Sequence, residues 1–221
     1  MSLEKRGDGG ASETAEIPPA LRQFGVSRET YGDLRRYVAL LKQWQSRINL
    51  ISPNTLSEIW DRHITDSAQI FALHPEAEIW LDLGSGGGLP GLVIAIFVKK
   101  RGHGWVYLVE SNQKKAAFLR FVVQELALPA EVHARRIEDC IDSIGQPDII
   151  TARALAPLDA LLGYTNLLLK RGAAGLFPKG RDHQEELTEA LRNWQFSYKL
   201  HPSVTDSKAR IVEVRFPEAR E

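Results

Sequence analysis

Leu81-Asp82-Leu83-Gly84-Ser85-Gly86-Gly87-Gly88-Leu89-Pro90-Gly91 decides how this chain folds. An apolar strand runs into four glycines among five residues, then into the apolar stretch Leu92-Val93-Ile94-Ala95-Ile96-Phe97. Glycine permits positive φ and clears side chains from a turn, so backbone can approach a ligand closely. Strand-to-helix turns of this kind hold nucleotide-type cofactors. Pro90 suits the first turn of the following helix, where a missing N–H costs little. The stretch predicts a site for an adenosine-like ligand.

Three ligands compete for it. A P-loop needs Gly-Lys-Ser/Thr after the glycines, and none follows. Gly86, Gly88 and Gly91 match the dinucleotide pattern G-x-G-x-x-G. Glu110 stands about 20 positions further on, at the end of the next predicted strand, where a ribose hydroxyl is bound. These features fit NAD and S-adenosylmethionine alike. Two details favour the methyl donor. Asp82 sits two residues before the first glycine and would repel a pyrophosphate, whereas the methyl donor carries no phosphate, only an amino group and a sulfonium. The turn is also longer than a tight dinucleotide turn, which makes a broad concave loop. Asp82, Gly84, Ser85, Gly86, Gly88 and Leu89 are therefore the expected cofactor contacts of the turn. Glu110 is the expected acceptor for the ribose hydroxyls, in bonds worth on the order of 1.5–3 kcal/mol each. Arg135-Arg136-Ile137-Glu138-Asp139 follows the third predicted strand and either flanks the adenine or opens a solvated helix.

Around this turn the chain alternates strand and helix. Strands are predicted at 79–83, 105–109, 130–133, 147–152 and 172–178. Helices are predicted at 89–99, 112–127, 157–169 and 182–193. Two further strands, at about 195–201 and 209–216, read as a closing hairpin. This alternation argues an α/β fold with a mostly parallel sheet covered on both faces and an antiparallel edge. Upstream the pattern is helical. Leu34, Tyr37, Val38, Leu41 and Trp44 recur at three- and four-residue spacing. Ser27 is the expected N-cap, although Thr30 stands where a capping box wants Glu or Gln. A break at 48–53 separates that helix from a second one over about 56–73. Residues 1–18 are polar, without apolar period, and read as a disordered tail. The expected division is thus a tail at 1–18, a helical extension at 19–78 and an α/β core at 79–221.

Composition narrows the function. The 221 residues hold 43% hydrophobic and 25% charged residues, ordinary for a globular protein. No apolar run reaches the roughly 20 residues of a membrane span, and cytoplasm is the expected location. One cysteine, Cys140, excludes an internal disulfide framework and a cysteine-cluster metal site. No metal site is expected. With 28 basic and 28 acidic residues the formal charge is zero, so nucleic-acid binding would need a local basic face.

The turn, together with Trp44, Ile48-Asn49-Leu50, Arg62-His63-Ile64-Thr65-Asp66-Ser67, Lys114-Lys115, Thr151-Ala152-Arg153-Ala154 and Lys179-Gly180, resembles the bacterial glucose-inhibited division protein B family. The resemblance spans about 40–179. It implies a class I S-adenosylmethionine-dependent methyltransferase fold, Rossmann-like, with a seven-stranded sheet and an N-terminal helical extension. It also implies methylation of N7 of one guanine in 16S ribosomal RNA, near the decoding centre of the small ribosomal subunit. Carried over by motif, the donor contacts would be Gly84, Leu89, Ile137, Glu138 and Arg153. Gly87 departs from the Ala or Pro frequent in that family, and Glu110 from its frequent Asp.

Guanine N7 has a free lone pair at neutral pH, so a methyl acceptor of this kind needs no general base. Alignment is then the main task. Arg153, just past the fourth strand, is expected to clamp the donor carboxylate, anchor a phosphate or donate to O6. His63 and Asp66 lie three apart on one helical face and are expected to orient each other at the pocket mouth, as catalytic neighbours of Arg153 or as a structural pair. Expected RNA contacts are Asn49, Arg62, Lys114, Lys115, Arg135, Arg136, Lys179 and Arg181. A monomer acting on the small ribosomal subunit is the expected assembly. The alternatives are a small-molecule or protein methyltransferase, an NAD-dependent oxidoreductase and a non-catalytic cofactor-binding regulator.

Overall fold

The computed structural model describes residues 16–219, apart from the side chains of Asp142 and Ala219. The expected disordered tail falls, except for 16–18, outside the described residues. The N-terminal part is helical: α1 (Pro19–Arg22), α2 (Arg28–Gln45), a 3-10 turn (Pro53–Thr55), a π-helical turn (Trp60–Thr65) and α3 (Asp66–Leu73). Ser27 caps α2 by accepting from Thr30 N–H at 3.1 Å, and the two hydroxyls meet at 2.9 Å in place of a capping box. The second predicted helix is real only from 60 onward, and its first turn is wound wider than an α-helix.

The rest alternates as β1 (Ile79–Leu83), α4 (Gly91–Arg101), β2 (Trp105–Val109), α5 (Gln113–Glu125), β3 (Ala130–His133), β4 (Ile149–Ala152), α6 (Leu158–Lys170), β5 (Ala174–Lys179), α7 (His183–Asn193), β6 (Trp194–Pro202) and β7 (Arg210–Ala219). The seven strands run in the order β3-β2-β1-β4-β5-β7-β6. β1 to β5 are parallel, and β7 is antiparallel to both β5 and β6. The closing hairpin therefore inserts its second strand against β5 and leaves β6 at the edge. Helix α4 begins at Gly91 rather than 89, so Pro90 precedes the helix as its cap residue.

Alternation along β1 explains the layering. Trp80 faces α2 to α5, whereas Leu81 and Leu83 face α6 and α7. The N-terminal helices share one core with the sheet, since Leu34, Tyr37 and Leu41 of α2 pack in the same cluster as Leu92 and Ile96 of α4. The chain leaves β1 toward β2 on one side and β4 on the other. That reversal of strand order opens a crevice at the carboxyl ends of the strands.

Candidate functional site

The glycine turn is held from below by Asp82. Parallel register sets Asp82 beside Thr151 on β4. Asp82 Oδ1 accepts from the Thr151 hydroxyl at 2.9 Å, and Oδ2 accepts from Gly91 N–H at 3.2 Å. The carboxyl is 1% exposed, and burial pushes its pKa up to about 6. From sequence, Asp82 was expected as a cofactor contact. The structure turns both oxygens inward, because the first free amide of α4 needs an acceptor. An anion already at that helix N-terminus leaves it closed to a pyrophosphate. Gly91 makes the contact possible: a Cβ there would lie 2.5 Å from Asp82 Oδ2 and against Leu108. Ser85 is also turned inward, donating from Oγ to Asp82 O and from N to Val109 O, both at 3.0 Å. Leu89 is buried beside it.

The turn is held from above by the helical extension. The Tyr37 hydroxyl, wholly buried, donates to Gly87 O at 2.7 Å. Burial raises its pKa strongly, so it stays a neutral donor. Tyr37 was read from spacing as one member of an apolar stripe. The signal available was that a buried tyrosine hydroxyl needs a partner.

Two clefts open at the carboxyl edge. The first, about 330 Å³, is lined by Gly84 and Gly86 of the turn, by Glu110 and Lys115, by Arg135, Arg136, Ile137 and Glu138, and by Leu155 and Tyr164. Gly84 has φ +65°, and a Cβ there would strike Leu155 at 2.7 Å. Glu110 accepts from Gly86 N–H and from Asn112 N–H, each at 2.8 Å through a different oxygen. A carboxylate has about four lone-pair sites, so each oxygen keeps capacity for one ribose hydroxyl. The donor set of this cleft thus fits an adenosine-type ligand: a carboxylate for the ribose, and Ile137, Leu155 and Tyr164 as apolar surface for a base. Asp82, Ser85, Gly88, Leu89 and Arg153 do not line it.

The second cleft, about 540 Å³, is lined by Thr55, Arg62, His63, Asp66, Arg153, Lys179, Glu186 and the β6–β7 loop. Ala154, Leu155 and Ala156 line both clefts and form the wall between them. Ala154 has φ +53°, which bends the chain directly after Arg153.

Arg153 organises the second cleft. Its Nη2 lies 3.0 Å from His63 Nδ1, and its Nη1 donates to Arg62 O at 3.3 Å and faces Asp66 Oδ2 at 3.5 Å. A guanidinium only donates, so His63 Nδ1 is the acceptor and the ring proton sits on Nε2. That Nε2–H donates to Thr55 Oγ1 at 2.8 Å, and the Thr55 hydroxyl donates to Ser52 O at 2.9 Å. Burial, then the charges of Arg153 and Arg62, push the His63 pKa down to about 4. His63 is therefore neutral with its lone pair occupied. His63 and Asp66 do not orient each other; both are turned to Arg153.

The expected RNA contacts fall into three groups. Lys115, Arg135 and Arg136 line the first cleft and Arg62 the second. Lys114, Arg181 and Asn49 are exposed away from both linings. Lys179 is buried, paired with Glu186 Oε2 at 2.7 Å and donating to Ala156 O at 2.7 Å. Its charge is spent inside the protein, because the end of β5 places it under the second cleft rather than on its rim.

Comparison with known proteins fits this geometry. A family model described as rRNA small subunit methyltransferase G matches residues 30–214. The chain is 49% identical over 201 residues to a ribosomal RNA small subunit methyltransferase G of Rhodopseudomonas palustris, covering 90% of this chain and 86% of the relative. It is 53% identical over 194 residues to the protein of that name from Methylobacterium radiotolerans, covering 88% and 92%. Among solved structures, an S-adenosylhomocysteine-bound methyltransferase from Podospora anserina superposes with a TM-score of 0.58 at 12% identity, over 90% of this chain and 88% of that one. A complex of the protein abbreviated MtNAS with S-adenosylmethionine gives 0.56 at 15% identity, over 92% and 85%. These likenesses make the fold a class I methyltransferase fold. By sequence, the chain belongs to the rRNA small subunit methyltransferase G family.

Proposed function

We propose that the protein transfers the methyl group of S-adenosylmethionine to N7 of a guanine in 16S ribosomal RNA, near the decoding centre of the small subunit. The observation that carries this reading is the pair of clefts sharing one thin wall, in a chain of this family. The first cleft takes the donor, which supplies an electrophilic methyl group on a sulfonium. Glu110 accepts from the ribose hydroxyls. Gly84 and Gly86 let the backbone close on the ligand, while Ile137 and Glu138 border the base. Asp82, Ser85 and Gly88 hold the turn's shape.

The second cleft takes the guanine. N7 is unprotonated and carries its own lone pair, so no residue is required to remove a proton. This suits a site whose histidine is neutral and already bonded. Orienting two reactants accounts for up to about 7–11 kcal/mol of barrier. Positive charge moves onto the guanine ring as the methyl transfers. Arg153 donates to O6 beside N7, its own charge offset by Asp66. His63 and Asp66 position it. Arg62, Lys115, Arg135 and Arg136 contact phosphates around the clefts, with Asn49, Lys114 and Arg181 further out. Residues 19–78 form the helical wall of the acceptor side and the chain from 79 onward the catalytic core, acting as a cytoplasmic monomer.

Thermal shift tests the donor assignment against the dinucleotide alternative. S-adenosylhomocysteine is expected to raise the melting temperature and NADH to leave it unchanged. Stabilisation by NADH alone contradicts the reading.

A further inference from the structure

The β6–β7 loop is strapped to α3 through one buried side chain, Gln69, which is 5% exposed. Its Oε1 accepts from Val204 N–H at 3.0 Å. A backbone N–H only donates, so the amide is fixed in orientation and its NH2 points the other way. That NH2 donates to Asp66 Oδ1 at 2.7 Å and to Ser203 Oγ at 3.3 Å. A second donor reaches the same carboxylate oxygen from the loop: the Thr205 hydroxyl donates to Asp66 Oδ1 at 3.1 Å. A hydroxyl has one proton to give, so Ser203 is the donor in the 3.0 Å contact between the Ser203 and Thr205 hydroxyls. The side-chain protons of Gln69, Ser203 and Thr205 thus run, directly or in relay, to Asp66 Oδ1.

The consequence falls on Arg153. A guanidinium beside a carboxylate favours a bidentate fork, with N–O distances of about 2.7–2.9 Å. Asp66 Oδ2 instead stays 3.5 Å from Arg153 Nη1. Its other oxygen is held from behind, so the fork does not close. Arg153 keeps its contacts to Arg62 O at 3.3 Å and His63 Nδ1 at 3.0 Å, and its Nε–H donates to no atom among the described residues. The charge of Arg153 is offset across the gap, while donors remain free toward the second cleft, which Arg153 lines.

We infer that Gln69, with Thr205 beside it, is a positioning residue for methyl transfer: it holds Asp66 back from Arg153 and leaves the guanidinium open to the acceptor. Gln69 lines neither the first cleft nor the second, so it acts through Asp66. Its bond to Asp66 is the shortest of its three, which marks the carboxylate rather than the loop as its main partner. This inference rests on the guanine-N7 reading, in which Arg153 meets the acceptor.

The test is a double-mutant cycle on the full-length protein. Methyl transfer from labelled S-adenosylmethionine to purified small subunits lacking the modification is mapped by mass spectrometry. Gln69→Leu keeps the bulk of the side chain and removes its bonds; Val204 is 53% exposed, so water takes over its N–H. The variant is expected to lower kcat about 10- to 100-fold and to leave the KM for S-adenosylmethionine unchanged, because the first cleft is untouched. Asp66→Ala is expected to lower kcat as well. Adding Gln69→Leu to it should then change nothing further, since residues that act as one unit are not additive. A side chain that merely fastens the loop gives losses that multiply. Thr205→Val removes the other donor to the same oxygen, is expected to lower kcat in the same direction, and carries the cycle if Gln69→Leu does not fold. Wild-type kcat in the folded variant, a raised KM for S-adenosylmethionine with kcat intact, or losses that multiply with Asp66→Ala overturn the role of Gln69 alone. A wild type that places no methyl on guanine N7 overturns the parent reading and this inference with it.

Discussion

Arg153 is the residue on which the second cleft depends. It follows β4, is bent into place by the positive φ of Ala154, and is held by His63, Asp66 and the Arg62 carbonyl. Replacing it with alanine removes a fixed donor without opening the core. Arg153→Ala is expected to lower methyl transfer about 100-fold or more, with a melting temperature within about 2 °C of wild type. Near-normal turnover in an assay on purified subunits would discard its role. His63 gives a second prediction, with a definite sign. Its folded pKa of about 4 lies below the unfolded 6.5, so the folded state binds fewer protons between those values. Its contribution to stability is present above pH 6.5 and is lost as pH falls through 4. His63→Asn keeps a side-chain acceptor for Arg153 and has no such titration. Melting scans across pH 7 to 4 should show the wild type losing more stability than this variant. Parallel curves would mean that His63 is not held neutral.

At the scale of elements, the glycine turn is fixed from two sides. α2 holds it through Tyr37 and Gly87, and α4 holds it through Gly91 and Asp82. Tyr37→Phe leaves the Gly87 carbonyl short of a donor and should cost about 1–3 kcal/mol in chemical denaturation, with weaker affinity for S-adenosylhomocysteine in calorimetry. Unchanged affinity would separate the helical extension from the cofactor turn. Gly91→Ala forces a Cβ toward Asp82 and Leu108 and should cost about 1–3 kcal/mol. The strand-to-helix turn and the alternation around it were legible because glycine clusters and apolar periods are local signals. Ser27 was readable as a cap for the same reason. The bonds that define the site were not legible, because their partners lie far apart in sequence. Thr205 reaches Asp66 across 139 residues, and Arg153 reaches His63 across 90. No periodicity records such pairings. The side-chain direction of Asp82 was equally hidden: its position in the strand was plain, but the face of β1 it occupies depends on the packing of α4.

For the whole molecule, zero formal charge and a nucleic-acid substrate are compatible only if the cations gather. Lys115, Arg135 and Arg136 do so along the first cleft, while Lys179 is neutralised inside. Association with small subunits should therefore weaken linearly with log salt concentration, with a slope reflecting a few phosphate contacts. A slope of zero in binding isotherms would remove RNA as the partner. The central claim, transfer of one methyl group to guanine N7 of 16S ribosomal RNA, is tested most directly by chemistry on the product. Small subunits lacking the modification are incubated with the protein and S-adenosylmethionine bearing a labelled methyl group, and the RNA is digested and mapped by mass spectrometry. The account predicts a single labelled 7-methylguanosine in 16S RNA, formed about 100-fold or more slowly when Arg153→Ala replaces the wild type. Label on another atom, on protein, or nowhere would contradict it.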